Sequence, residues 1–134
     1  MSEPSNKQTY LQIIEAISRN EPEKLDRYLS ADLVDHNPIP GQAEGVAGFK
    51  QWMNMARSAF PDLHATVQDV LADGEKVVGR LTWHGTHQGS FAGLEPTGKQ
   101  VAFAAIHIVR FENGKAVEWW GIADLLGALQ QLQK

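Results

Sequence analysis

The stretch Val101–Phe111, VAFAAIHIVRF, decides the fold. Val101, Phe103, Ala105, His107, Val109 and Phe111 recur at every second position. A period of two places them on one face of a β-strand. Ala102, Ala104, Ile106 and Ile108 fall on the other face. Asn113-Gly114 follows, a two-residue hairpin signal, so Ala116–Ala123 returns beside this strand. Upstream, Gln88–Gly98 holds three glycines and a proline and reads as a loop. Before it, Lys76–His87 carries Val77, Val78, Leu81, Thr82 and Trp83, a strand-rich composition. Asp73-Gly74 turns that strand back onto Leu63–Ala72.

The first half has a different period. Tyr10, Ile13, Ile14 and Ile17 are spaced i, i+3, i+4, i+7, the stripe of an amphipathic helix. Asn20 and Glu23 have capping-box spacing and Pro22 suits a first turn. They predict a short second helix burying Leu25, Tyr28 and Leu29. Leu33–Asn37 reads as a brief extended piece, and Pro38, Pro40 and Gly41 enforce a loop. A third helix is expected from about Val46 to Phe60, with the stripe Phe49, Trp52, Met53, Ala56 and Phe60, ended by Pro61. Leu125–Leu132 predicts a closing helix. Met1–Lys7 is polar and reads as a flexible tail. Helices first, then hairpin-linked strands, predict a single α+β domain over residues 1–134. Its N-terminal helices pack on a strongly curved antiparallel sheet of four or more strands. The Val46–Phe60 helix is expected across the concave side, over a pocket.

Bulk properties narrow the function. A chain of 134 residues, 43% apolar and 21% charged, is long enough to bury a core. The net charge of −4, with no basic block, argues against a nucleic-acid surface. There is no cysteine, hence no thiolate metal site and no thiol nucleophile. No apolar run reaches membrane-spanning length, and the N-terminus lacks a signal-peptide core, so a cytoplasmic protein is expected. No G-x-S-x-G elbow and no phosphate-binding glycine loop occurs. His84 and His87, three apart in a strand, point to opposite faces and make a poor metal pair. Neither a metal nor an organic cofactor is expected.

Polar residues in apolar company are the candidates for chemistry. Asp124 sits among Trp119, Trp120, Ile122 and Leu125. Desolvation would make it a stronger base, yet Asp is also a favoured helix N-cap and could simply cap the last helix. His107, on an apolar strand face, needs a hydrogen-bond partner. It is either a satisfied core histidine or a pocket group bonded to Asp124 or to a substrate oxygen. His36 and Asn37 could orient a substrate carbonyl or serve the turn, and Asp35 reads mainly as a turn former. Phe49, Trp52 and Met53 share a helix face and Trp83 adds an indole from the sheet. These suit a flat aromatic ligand, although aromatic stripes at helical spacing are more often plain core. Trp120 completes the expected substrate wall. The outer face of Ala102, Ala104, Ile106 and Ile108 is too apolar to leave in water and predicts a homodimer.

Several motifs carry a resemblance. They are Phe60-Pro61-Asp62; Gly85-Thr86-His87 with Gly89 and Phe91; Pro96-Thr97-Gly98-Lys99; Ile106-His107-Ile108; Phe111-Glu112-Asn113-Gly114-Lys115; and Glu118-Trp119-Trp120 followed by Asp124-Leu125-Leu126. In order and spacing they resemble the SnoaL-like polyketide cyclases of the wider nuclear-transport-factor-like cone fold, over roughly the last two thirds of the chain. The resemblance implies a cone-shaped pocket and a cofactor-free aldol ring closure on a small hydrophobic or aromatic carbonyl compound. It also implies an aspartate near the end of the last strand, here Asp124, as the acid/base group, with His107 in the pocket. Asp124, His107 and His36 are more polar than a core requires and favour a pocket over a chain built mainly for assembly. A binding protein with the same pocket and no turnover, however, fits the sequence as well, since one fold hosts many functions.

Overall fold

The computed structural model describes residues 5–134. Ser5 caps the first helix, α1 (Asn6–Ser18), in a reciprocal capping box: its hydroxyl accepts from the Gln8 N–H, and the Gln8 side chain accepts from the Ser5 N–H. The expected tail therefore does not extend to Lys7; its first four residues lie outside the described ones. Asn20 does not open a second capping box. With φ of 56° it closes α1 in the left-handed conformation that Asn tolerates. One 3-10 turn (Pro22–Lys24) and a single helical turn, α2 (Leu25–Tyr28), follow. Leu29, expected in that helix, already begins β1 (Leu29–Asp35).

α3 (Gly45–Ala59), β2 (His64–Asp73), β3 (Lys76–Thr86), β4 (Gln100–Glu112), β5 (Lys115–Ala123) and α4 (Leu125–Leu132) complete the chain close to where the sequence puts them. The five strands form one curved sheet in the order β1-β5-β4-β3-β2. Three neighbours pair antiparallel, but β1 runs parallel to β5. The four strands β2 to β5 bear out the expected curved antiparallel sheet, and β1 adds a parallel strand at its edge. The turn signals fix hairpin partners, whereas nothing local encodes a pairing between Leu29 and Ala116.

Alternation along β4 is as expected. Val101, Ala105, His107, Val109 and Phe111 are buried, while Ala102, Ala104, Ile106 and Ile108 are exposed. α1 and α3 both pack on the buried, concave face. From α3, Phe49 meets Trp119 at 5.0 Å and Trp52 meets Trp83 at 6.1 Å, so the helix crosses from β5 to β3. β5 ends opposite Ala105, leaving the start of β4 without a strand neighbour on that side. α4 covers that edge: the Gln131 amide accepts from the Ala102 N–H (2.9 Å) and donates to its C=O (2.7 Å), as a strand would.

Candidate functional site

His107 sits at the centre of β4, and its two cross-strand neighbours are both glycines, Gly79 on β3 and Gly121 on β5. The concave face therefore has an empty slot on each side of the imidazole. Tyr10 from α1 fills the first. A methyl group on Gly79 would lie 2.1 Å from the Tyr10 hydroxyl, so only glycine admits the phenol. The Tyr10 hydroxyl lies 2.9 Å from His107 Nδ1. Burial pushes the Tyr10 pKa upward and lowers that of His107 to about 4, so both are neutral at pH 7.

The second slot, over Gly121, opens into a cavity of about 90 Å³. Its walls are the rings of Phe49, Trp52, Trp83 and Trp119, with Ile17 and Ala105 behind. Asp35 and Asn37 at the end of β1 supply its polar rim. Backbone geometry fixes both. The Asn37 N–H donates to Asp35 Oδ1 (2.9 Å), an Asx turn, and Gln42 Nε2 donates to Asp35 Oδ2 (3.0 Å). Asn37 Oδ1 accepts from the Gly121 N–H (3.0 Å), which leaves its NH₂ group free to donate. One carboxylate, one amide donor and one neutral imidazole thus share an aromatic-walled hollow. Among the described residues no cluster of three or more His, Asp or Glu side chains is placed to share a metal ion.

The comparisons agree with this architecture. The family model for SnoaL-like polyketide cyclase matches residues 7–132. The chain belongs to that family. Over 105 residues it is 29% identical to the aklanonic acid methyl ester cyclase DnrD of Streptomyces peucetius, covering 78% of this chain and 71% of the relative. The nogalonic acid methyl ester cyclase of Streptomyces nogalater is 24% identical over 123 residues, covering 90% of this chain and 91% of the relative. IdmH from Streptomyces antibioticus superposes with a TM-score of 0.88 at 29% identity, covering 98% of this chain and all of the other. No helix among the described residues is long and apolar enough to cross a membrane.

Within this SnoaL-like fold the structure sorts the expected site residues. Asn37, Phe49, Trp52, Trp83 and His107 meet at the cavity. Met53 is buried in the core and does not reach it. Asp124 lies off the cavity, exposed, with its carboxylate accepting from the Gly127 N–H (2.9 Å) as the N-cap of α4. The capping alternative describes this position, and the pocket's carboxylate is Asp35. His36 and Trp120 lie outside as well. They stack on each other at 4.4 Å on the convex face, where the His36 Nε2–H donates to Glu118 (2.8 Å).

The cause is a β-bulge. A two-residue turn at Asn113-Gly114 with regular pairing would set Trp120 opposite His107. Instead Phe111 pairs with Ala116 and Arg110 with Glu118, leaving Val117 unpaired. The slip of one residue exchanges the faces of Trp119 and Trp120. Trp119 and Tyr10 are residues of the candidate site that sequence reasoning missed, while Asp35 forms the turn expected of it and reaches the cavity rim as well. The Asp35 signal was its position two residues before Asn37, on the same side of an extended segment.

Proposed function

We propose that this SnoaL-like protein is a cofactor-free acid/base cyclase acting on a carbonyl compound with an aromatic portion. The observation that carries this reading is the meeting of Asp35, Asn37 and His107 on one aromatic-walled cavity. Asp35 removes a proton from a carbon flanked by two carbonyls, a position acidic enough for a carboxylate base. The Asn37 NH₂ and the His107 imidazole face the oxygen on which the enolate charge develops. The enolate carbon then attacks a ketone of the same molecule, forming the ring bond, and the resulting alkoxide takes the proton back from Asp35. The curated relatives carry names of methyl ester cyclases, and a pocket offering one carboxylate and no Lys or Arg suits an ester better than a free acid. A cavity of 90 Å³ admits the reacting carbons, whereas drug-sized ligands need roughly 300 Å³ or more. The remaining rings of such a substrate extend past Asn37 at the rim of the cavity.

Deuterium exchange tests this without the natural substrate. An aromatic β-keto methyl ester in D₂O should lose its α-proton faster with the protein than with buffer. Asp35→Asn keeps an acceptor for the Asx turn and should reduce the enzymatic rate by about 10²–10⁴-fold. Saturable binding of the ester with no acceleration by the wild type would make the protein a binding module.

We also propose that the convex face pairs two copies of the chain. Ile106 (51% exposed) lies directly across from Ile122 (65%) and beside Ile108. Charges of both signs rim this strip, Arg80 with Asp69 and Arg110 with Glu118, which a two-fold axis can match with itself. Sedimentation at micromolar concentration should give a dimer that Ile106→Glu dissociates; a monomeric wild type would reject the interface.

A further inference from the structure

We infer that Tyr10 is a positioning residue that holds His107 in the Nε2–H tautomer, so that the slot over Gly121 is a site for a substrate oxygen accepting from that N–H. The inference rests on the acid/base reading above and names what the imidazole contributes to it.

A count of donors and acceptors carries the argument. Tyr10 is fully buried. Its hydroxyl has one partner among the described residues, His107 Nδ1. A buried O–H left without an acceptor is costly. Were Nδ1 to carry the proton, Nδ1–H would donate to the phenol oxygen and the phenol proton would have nowhere to go. With the phenol donating, Nδ1 is the acceptor and the ring's single proton resides on Nε2. Nε2 has no protein partner among the described residues, yet it is not among the buried side-chain atoms left unsatisfied.

Ring geometry gives the direction. Nδ1 faces the Gly79 side, where Tyr10 enters. The opposite edge faces Gly121, where an added methyl would lie 3.1 Å from His107 Cδ2. Nε2 adjoins Cδ2 in the ring, so its N–H opens toward the cavity that Gly121 lines. The two glycines thus have separate tasks. The absence of a side chain at Gly79 admits the residue that sets the tautomer, and the absence at Gly121 leaves room for the ligand atom that uses it. Because His107 titrates near pH 4, it remains a neutral donor at working pH. A neutral donor strengthens its bond as an enolate forms and does not hold a ground-state anion by charge.

Two-bond ¹⁵N–¹H correlation spectra of the ligand-free protein at pH 7 test the tautomer directly. His107 should show a pyridine-type Nδ1 and a pyrrole-type Nε2. The reverse pattern overturns the inference, whether or not the protein proves to be a cyclase. In Tyr10→Phe the two nitrogens should move toward averaged shifts, and kcat for α-proton exchange should fall about tenfold with KM little changed, as for loss of one hydrogen bond. An unchanged Nε2–H pattern in Tyr10→Phe would show that Tyr10 does not set the tautomer. Should Tyr10→Phe fail to fold, the wild-type spectrum still decides. Loss of exchange in Asp35→Asn alone addresses the base and leaves this result untouched.

Discussion

Two histidine–tryptophan pairs lie back to back across the sheet, His107 with Trp119 inside and His36 with Trp120 outside. Ring distances are similar, 4.8 Å and 4.4 Å. Their settings are opposite. His107 is enclosed with a neutral phenol for a partner, and burial holds it uncharged. His36 donates to a carboxylate that also takes Arg110, in reach of water. The same two side chains thus make a neutral donor on one face and part of an ion network on the other. The inner pair serves the cavity; the outer one belongs to the surface that we assign to assembly.

Truncation should separate the pairs most strongly. Trp119 is 5% exposed and touches Tyr10, Phe49 and His107. Trp119→Ala should cost about 3–5 kcal/mol in urea denaturation. Trp120→Ala gives up stacking on His36 and the Lys76 ammonium 5.5 Å above its ring, and should cost about 1 kcal/mol or less. Equal losses would mean the bulge at Val117 is absent and the faces are not exchanged.

Acid should act on the inner pair next. The His107 pKa falls from 6.5 in the unfolded chain to about 4 in the folded one. Between those values the unfolded chain takes up a proton that the folded one refuses. Stability is therefore full above pH 6.5 and declines as pH falls toward 4, by about 3 kcal/mol from this group alone. His107→Gln keeps an acceptor for the Tyr10 hydroxyl and removes the titration. The wild-type and variant stability curves should diverge over that window; parallel curves would show His107 is not protected from protons.

These contrasts mark how far the sequence could be read. The helix stripe of α1, the Asp73-Gly74 and Asn113-Gly114 turns and the alternation of β4 are local patterns, and they placed most elements. What escaped depends on register between distant segments. The parallel β1–β5 pairing has no local signature. Val117 looks like any strand residue, yet its bulge decides which tryptophan faces the pocket. Tyr10 reads as one residue of an apolar stripe; only beside Gly79, distant in sequence, does its hydroxyl acquire a task. Asp124 shows the converse: its neighbours in sequence are apolar, but at a helix start its carboxylate turns to the backbone.

The glycines give a finer division of the inner site. Gly79→Ala forces a methyl group into the Tyr10 phenol and should cost about 1–3 kcal/mol. Gly121→Ala meets His107 and Trp119 at 3.1 Å, contacts that a small ring shift relieves. Stability should change by less than about 1 kcal/mol, while ester binding, measured by titration, should weaken by about tenfold or more as the slot fills. If Gly121→Ala binds the ester as well as the wild type, the ligand does not enter beside His107.

The smallest effect is expected from the outer network. The Arg110 guanidinium, and after it the His36 imidazole, hold the Glu118 carboxyl below its usual range. Both partners are at the surface, where water and salt screen such pairs. In Glu118→Gln the amide oxygen still accepts from His36, and Arg110 keeps Glu112 at 2.6 Å and Glu75 at 3.5 Å. No buried group is left unpaired, so the urea midpoint at physiological salt should match the wild type. A midpoint that falls, and falls further on dilution, would place Glu118 beneath the paired convex faces and not at their rim. The outer histidine–tryptophan pair would then be desolvated in the dimer as the inner one is in the monomer.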